Sequence, residues 1–229
     1  MRIEIKNLEK YVMFEKQKIS ILKDINLSFE SGEIVAIVGE SGSGKSTLLN
    51  ILSLLDECIS GEYYWDDKDI FKLTKNEKQE LLAQKIGIVF QQYNLIEGMT
   101  CSENVIMPLY LNSRIKKSER ARMVGDVLEK VGLLERKQHF PRTLSGGEQQ
   151  RVAIARAIIN NPDVIFADEP TGNIDSANER QVLRLFREIA NQGKIVVIVT
   201  HSEIVKAFAD KVYRISDGVV KEESLYEEK

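Results

Sequence analysis

The chain has 229 residues, 43% of them hydrophobic and 29% charged, with a formal net charge of -3. That composition is ordinary for a globular protein and allows one large α/β domain or a core with an attached lobe. It supplies no overall basic field of the kind that drives non-specific nucleic-acid binding. The longest apolar runs, residues 34–38 and 195–199, fall far short of the ~20 residues of a membrane span, so any membrane role is expected to run through a partner. The opening stretch MRIEIKNLEKYV has no apolar h-region of a signal peptide. Cys58 and Cys101 lack metal-ligand spacing and are expected to be small packing residues in a reducing cytosol.

In chain order, residues 2–6 alternate, 19–30 form a mixed polar and apolar run, and 34–38 form a continuous run of the buried-strand type. Residues 46–55 have the apolar density of a helix packed on a sheet, and 86–90 predict another short buried strand. From about Tyr93 to Ser145 the pattern turns helical. Val124, Val127, Leu128 and Val131 fall on one stripe at i, i+3, i+4 and i+7, and the segment is expected to form a helical lobe inserted into the sheet domain. Strands at 164–167 and 195–199 then flank a helix ending near Ala190, which Ser176 and Glu179 are expected to open as a capping box. Asp217-Gly218 between YRIS and VVKE predicts a hairpin turn, and the tail EESLYEEK reads as a solvated surface element. Alternating strands and helices argue for a largely parallel sheet flanked by helices.

The chemistry begins at GESGSGKST. Gly39, Gly44, Lys45 and Ser46 fit G-x-x-x-x-G-K-[ST], with Glu40, Ser41, Gly42, Ser43 and Thr47 completing the loop, between a strand and a helix as the motif requires. Its glycines let several backbone N–H groups converge on one phosphate chain, and the helix adds its positive dipole end. Lys45 supplies a point charge for the β- and γ-phosphates, and the Ser46 hydroxyl is suited to Mg²⁺. Asp168 and Glu169 follow the strand at 164–167, at the sheet end where open α/β folds place ligand chemistry. Asp168 suits the metal and Glu169 the role of general base toward water. His201 follows the strand at 195–199 and its flanking Thr200, and a neutral imidazole there can meet the γ-phosphate. Gln91 can reach the metal or the water through its amide oxygen, with Gln92 as the competing choice.

Together with Leu144-Ser145-Gly146-Gly147-Glu148-Gln149-Gln150, running into RVAIARAIINNPDVIFADEPT, these motifs resemble the nucleotide-binding domains of the ABC ATPase family, over nearly the whole chain. The resemblance implies a P-loop NTPase core with a mostly parallel sheet (about 1–92 and 146–229), an N-terminal antiparallel β subdomain and an inserted helical subdomain (about 93–145). It implies that Tyr11 stacks on adenine, with Phe14 the alternative, that Gln91 senses a membrane partner, that 173–175 crosses a dimer interface, and that His201 is a switch histidine. ATP and Mg²⁺ are the implied cofactors. Two subunits would sandwich each ATP between one phosphate loop and the partner's Ser145, Gly146, Gly147 and Glu148.

FQQYNL, SENVIMPL and DEPTGNID most resemble the subgroup of lipoprotein-releasing, macrolide-export and antimicrobial-peptide-resistance ATPases, with the cell-division ATPase a near relative. That implies a homodimer at the cytoplasmic face of the membrane, working on an integral membrane permease, with room for an accessory protein and no expected nucleic acid. A regulatory complex without transport is the alternative implied by the cell-division relative. The long coiled-coil insertions and zinc modules usual in DNA- and ribosome-acting relatives are not seen in these residues. His201 is followed by Ser202 where the family usually has Asp, and 172–175 reads Gly-Asn-Ile-Asp.

Overall fold

A computed structural model describes residues 1–15 and 17–223; most of the tail expected on the surface lies outside the described residues. β1 (Arg2–Phe14) and β2 (Gln17–Glu30) form a long antiparallel hairpin, followed by β3 (Ile34–Val38) and α1 (Lys45–Leu52). β4 (Ser60–Trp65) and β5 (Lys68–Asp69) join the hairpin in a four-stranded sheet of order β2-β1-β4-β5. α2 (Lys75–Lys85), β6 (Ile86–Val89), α3 (Cys101–Tyr110), α4 (Lys117–Lys130) and α5 (Gly146–Ile158) come next. β7 (Val164–Asp168), α6 (Ser176–Ala190), β8 (Ile195–Thr200), α7 (Glu203–Phe208), β9 (Lys211–Ser216) and β10 (Val219–Glu223) complete the chain. The main sheet has the order β10-β9-β3-β8-β7-β6. Every pairing in it is parallel except β9 with β10, which gives the mixed α/β fold expected of the sequence.

Continuous apolar runs at 34–38 and 195–199 suit strands covered on both faces. Ile34, Ala36 and Val38 join one core with Ile165, Ala167, Val196, Ile198 and residues of α3, α4, α5 and α6. Val35 and Ile37 join the other with Val164, Phe166, Val197, α1 and the small sheet. The alternation of period two divides the central strands between two cores. The stripe Val124, Val127, Leu128 and Val131 is buried in the first. Cys101 is fully buried there as well, whereas Cys58 lies at the margin of the second.

Two local readings change. The helix expected to open on a Ser176–Glu179 capping box is capped by Asp175, whose Oδ1 accepts from the N–H groups of Ala177 and Asn178 at 2.9 and 3.0 Å. Glu179 faces inward instead and accepts from the Ser202 hydroxyl at 2.9 Å. A carboxylate satisfies orphan helix N–H groups at least as well as a serine, and Glu179 has a better use below. α2 was not anticipated, although Thr74 and Glu77 form a capping box at its start. Asp217 and Gly218 turn β9 into β10 with φ of 50° and 76°, the double positive φ of the expected hairpin turn.

Candidate active site

Four parallel strands end at one edge, and the candidate residues follow their C-terminal ends. After β3 comes the phosphate loop. Gly44, at φ 106°, precedes α1 without a side-chain cap, and the first turn of α1 carries no acidic residue. Its orphan N–H groups and positive dipole end are therefore open to an anion. Gly39 has no room for a side chain: a Cβ there would run into the Ile215 carbonyl oxygen and stand 2.9 Å from Ser43 Oγ. Lys45 Nζ donates to the carbonyls of Gly39 at 2.8 Å and Glu40 at 2.7 Å, so the loop wraps its own cation. Ser43 Oγ is buried with no hydrogen-bond partner in the protein, a polar orphan that a bound oxyanion would satisfy.

The loop forms one wall of a cleft of about 620 Å³, closed by Ile21, Gln91, Asp168, Glu169 and His201. Gln91, and not Gln92, lines it. Successive side chains of a strand point to opposite faces, yet Asp168 and Glu169 both reach the cleft. The reason is local: Asp168 ends β7, and Glu169 takes φ 43°, which breaks the alternation at the sheet edge. Glu169 N–H still donates to the Val199 carbonyl at 2.8 Å, anchoring the turn on β8.

The Glu169 carboxylate is held on three sides. Thr200 Oγ1 donates to its Oε2 at 3.1 Å, the His201 N–H reaches the same oxygen at 3.4 Å, and His201 Nδ1 lies 2.8 Å from Oε1. His201 is 72% exposed in its side chain and Glu169 13%, so a nearly buried acid meets an open imidazole. Burial pushes the Asp168 carboxyl above its usual range; the neighbouring Glu169 charge adds to this, while a hydrogen bond from Ser46 and the Lys45 charge oppose it. Ser202 donates to Glu179 and its Oγ accepts from Val205 N–H at 3.4 Å, capping α7. Serine in place of the usual Asp thus fixes the segment after His201 to α6.

The signature residues stand outside the walls of this cleft. Ser145 caps α5: its hydroxyl accepts from Glu148 N–H at 3.3 Å, and Ser145 N–H donates to Glu148 Oε2 at 2.8 Å. The Ser145 backbone N–H and hydroxyl then hold the Glu148 carboxyl below its ordinary value. Gly146 is pressed on, since a Cβ there would lie 3.0 Å from Tyr93 Oη and 3.4 Å from the Asn173 carbonyl, and a Cβ at Gly147 would collide with the Asn178 side chain. Tyr11 is also outside the walls, on β1, with Lys18 Nζ 4.2 Å over its ring.

Several residues that tie these parts together carry no motif. Arg156 on α5 donates to the carbonyls of Asn94 at 2.5 Å and Tyr93 at 2.7 Å. Tyr93 Oη donates to the Asn173 carbonyl at 3.3 Å, and Asn173 Nδ2 to the Gln91 carbonyl at 3.0 Å. Arg151 on α5 donates to Asn178 and Gln181 on α6 at 3.2 and 2.9 Å. Only the arginines' positions one helical face apart on α5, i and i+5, hinted at separate partners. The segment after Gln91, the 173–175 loop and the middle and last turns of α5 are therefore tied together by hydrogen bonds.

Comparison with known proteins agrees with this arrangement. The family model for the ABC transporter matches residues 22–172. A macrolide export ATP-binding/permease protein, MacB of Aggregatibacter actinomycetemcomitans, is 42% identical over 218 residues, covering 95% of this chain and 34% of that protein. The chain thus spans about a third of the length of the curated macrolide-export relatives it matches. The lipoprotein-releasing system ATP-binding protein LolD of Francisella tularensis subsp. tularensis is 42% identical over 217 residues, 94% of each chain. The cassette MJ0796, solved as a dimer in a post-hydrolysis state bound to ADP and Pi, superposes with a TM-score of 0.89 at 41% identity, covering 98% of this chain and 99% of that one. The chain belongs to the ABC transporter family, as one of its ATPase cassettes.

Proposed function

We propose that the chain hydrolyses Mg-ATP as one half of a homodimer and thereby drives a separate membrane permease. One observation carries the reading. The phosphate loop, Asp168, Glu169 and His201 share a cleft, while the signature helix start at Ser145 lies outside it. Two anion-binding helix ends that one chain does not join are what a head-to-tail pair would bring together over a triphosphate. The dimeric MJ0796 structures support that pairing.

In this reading the loop N–H groups and Lys45 hold the phosphates. The Glu169 carboxylate accepts a proton from the attacking water, and His201 orients toward the γ-phosphate. Thr200 and the His201 ring hold Glu169 in place, so the base is positioned before substrate arrives. The Ser46 hydroxyl, the Asp168 carboxylate and the Gln91 amide all belong to the cleft and form the hard-oxygen donor set that suits Mg²⁺. When bound, that ion would neutralise charge on the phosphates. Closing the pair on ATP, and losing the bridging charge on hydrolysis, gives a two-state motor.

No helix among the described residues is long and apolar enough to cross a membrane; in this reading the work passes to a docked permease. A groove of about 1110 Å³ between α2, β6, α3 and α5 includes Phe90, Met107, Tyr110 and Leu111. It adjoins residues 91–105 of the helical lobe, where the family resemblance implies the permease contact. Tyr110 and Leu111 are 61% and 73% exposed. The resemblance to LolD and MacB supports export or lipoprotein release as the work done. Purified protein should release phosphate from Mg-ATP with a rate per subunit that rises with protein concentration. A rate per subunit independent of dilution would argue against the shared site.

A further inference from the structure

Around the turn from α3 to α4 the charge departs from the chain's overall balance of -3. Residues 114–122 carry five basic side chains, Arg114, Lys116, Lys117, Arg120 and Arg122, against one acid, Glu119. We infer that this turn, with Tyr110 and Leu111 beside it, is a surface that binds anionic lipid headgroups directly. The inference goes beyond the proposed permease docking, because it needs lipid and no other protein.

The turn is built to hold one shape. Asn112 is buried, and its Nδ2 donates to Asn160 Oδ1 at 3.1 Å. Asn160 Nδ2 in turn donates to the carbonyls of Ala83 at 2.8 Å and Pro108 at 3.2 Å. Asn112 Oδ1 accepts from Arg114 N–H at 3.2 Å, and Ile115 packs against the first core. Between these anchors Leu111 is left outside. At 73% it is the most exposed large hydrophobic side chain among the described residues. A lone exposed leucine is ordinary. One beside an exposed tyrosine and a basic run has the composition of a membrane-interface element, in which tyrosine sits at headgroup level and Lys and Arg meet phosphates.

The bases are also placed against the local field. A helix N-terminus carries positive partial charge and favours acids. α4 instead opens with Lys116 at its N-cap and Lys117 as its first residue, and Arg120 follows. Glu119 is turned to the backbone, accepting from Lys116 N–H at 3.2 Å. Arg114 is the one base of the run with an ion pair among the described residues, to Glu80 at 2.6 Å. Lys116, Lys117 and Arg122 are exposed. The Arg120 guanidinium lies 5.0 Å over the Tyr110 ring, so cation and aromatic are presented together. From Lys116 to Arg122 the helix axis advances about 9 Å, wider than one phosphate and suited to several headgroups in a plane. An anionic surface relieves both the mutual repulsion of the bases and their conflict with the helix dipole.

Tyr110, Leu111 and Ser113 also line the groove in which the permease contact is proposed. Lipid contact at its rim would raise the effective concentration of the chain at a permease.

Flotation of the full chain with vesicles, without permease or nucleotide, tests the inference. The chain should bind vesicles of phosphatidylglycerol mixed with phosphatidylcholine, ignore phosphatidylcholine alone, and release as salt is raised. Lys116→Gln with Lys117→Gln should weaken binding about 25-fold, at about five-fold for each base near an anionic surface. Leu111→Ser should weaken it a few-fold. Lys23→Gln with Lys221→Gln, the same charge change on β2 and β10, should bind as the parent does. The inference is overturned if the parent ignores anionic vesicles, or binds phosphatidylcholine equally well. It is overturned equally if the 116/117 pair binds as the parent does, or if the 23/221 pair loses as much. Phosphate release from Mg-ATP without vesicles reports on the proposed ATPase separately. A chain that hydrolyses ATP and ignores anionic vesicles overturns the lipid contact alone.

Discussion

His201 Nδ1 lies 2.8 Å from Glu169 Oε1, and the chain N–H of the same histidine reaches the other carboxylate oxygen at 3.4 Å. An ionised carboxylate only accepts, so this contact assigns the ring proton to Nδ1 and leaves Nε2 as the free nitrogen. The histidine thus serves two purposes. It orients the acid, and it presents its other nitrogen to solvent in the cleft.

Replacing it separates these purposes. His201→Ala should lower the ATP turnover number by about 10²-fold, within the range of a lost proton-transfer or positioning group, while ATP affinity stays within a few-fold. Thr200→Val, which removes the 3.1 Å hydrogen bond to Glu169 Oε2 and the acceptor of the Ser202 N–H at 3.0 Å but leaves the His201 ring in place, should cost less. Steady-state phosphate release and equilibrium binding measure both.

The cap of α6 is a second prediction. Asp175→Ala removes the acceptor for Ala177 and Asn178 N–H and should destabilise the protein by about 1 kcal/mol, lowering Tm by about 2–4 °C. Ser176→Ala should change Tm little, because Ser176 is not the cap. A larger drop for Ser176 in thermal melts would restore the capping box read from the sequence.

The signature cap predicts a pH dependence. Glu148 is held below its ordinary value of 4.5, first by the Ser145 N–H, then by the Ser145 hydroxyl and the charges of Arg136 and Arg151. A depressed folded value means the unfolded chain takes up the proton first as the pH falls. The stabilisation from Glu148 is therefore complete above pH 4.5 and is lost as the pH drops through its lower folded value. Glu148→Gln should be less stable than the parent at pH 7 by up to about 1 kcal/mol, with the difference closing in acid. Chemical denaturation of both proteins at pH 7 and near pH 4 would show it; a gap that widened in acid would contradict the sign.

Much of the fold was legible because the central strands of the main sheet are buried on both faces. Residues 34–38 and 195–199 are continuous apolar runs with few other interpretations. The hairpin β1–β2 was read in pieces, since its outer half is solvated and its ladder shifts register at several points. α2 was missed because its mostly polar sequence shows little apolar periodicity. In the site, the loop and the acids announce themselves by spacing, and the convergence of Gln91, Asp168, Glu169 and His201 follows from strands ending at one edge. What spacing could not give is side-chain direction. The positive φ of Glu169 is a local backbone feature, and the inward turn of Glu179 rests on a partner, Ser202, that is far away in the sequence.

The central claim is that the cleft is half of a shared catalytic site whose base is Glu169. The most direct measurement is sedimentation of Glu169→Gln with Mg-ATP and with Mg-ADP, beside its rate of phosphate release. A stable dimer with ATP that dissociates with ADP, and turnover reduced at least about 10²-fold, is the predicted result. A monomer under both conditions, or turnover at the parent rate, would contradict it.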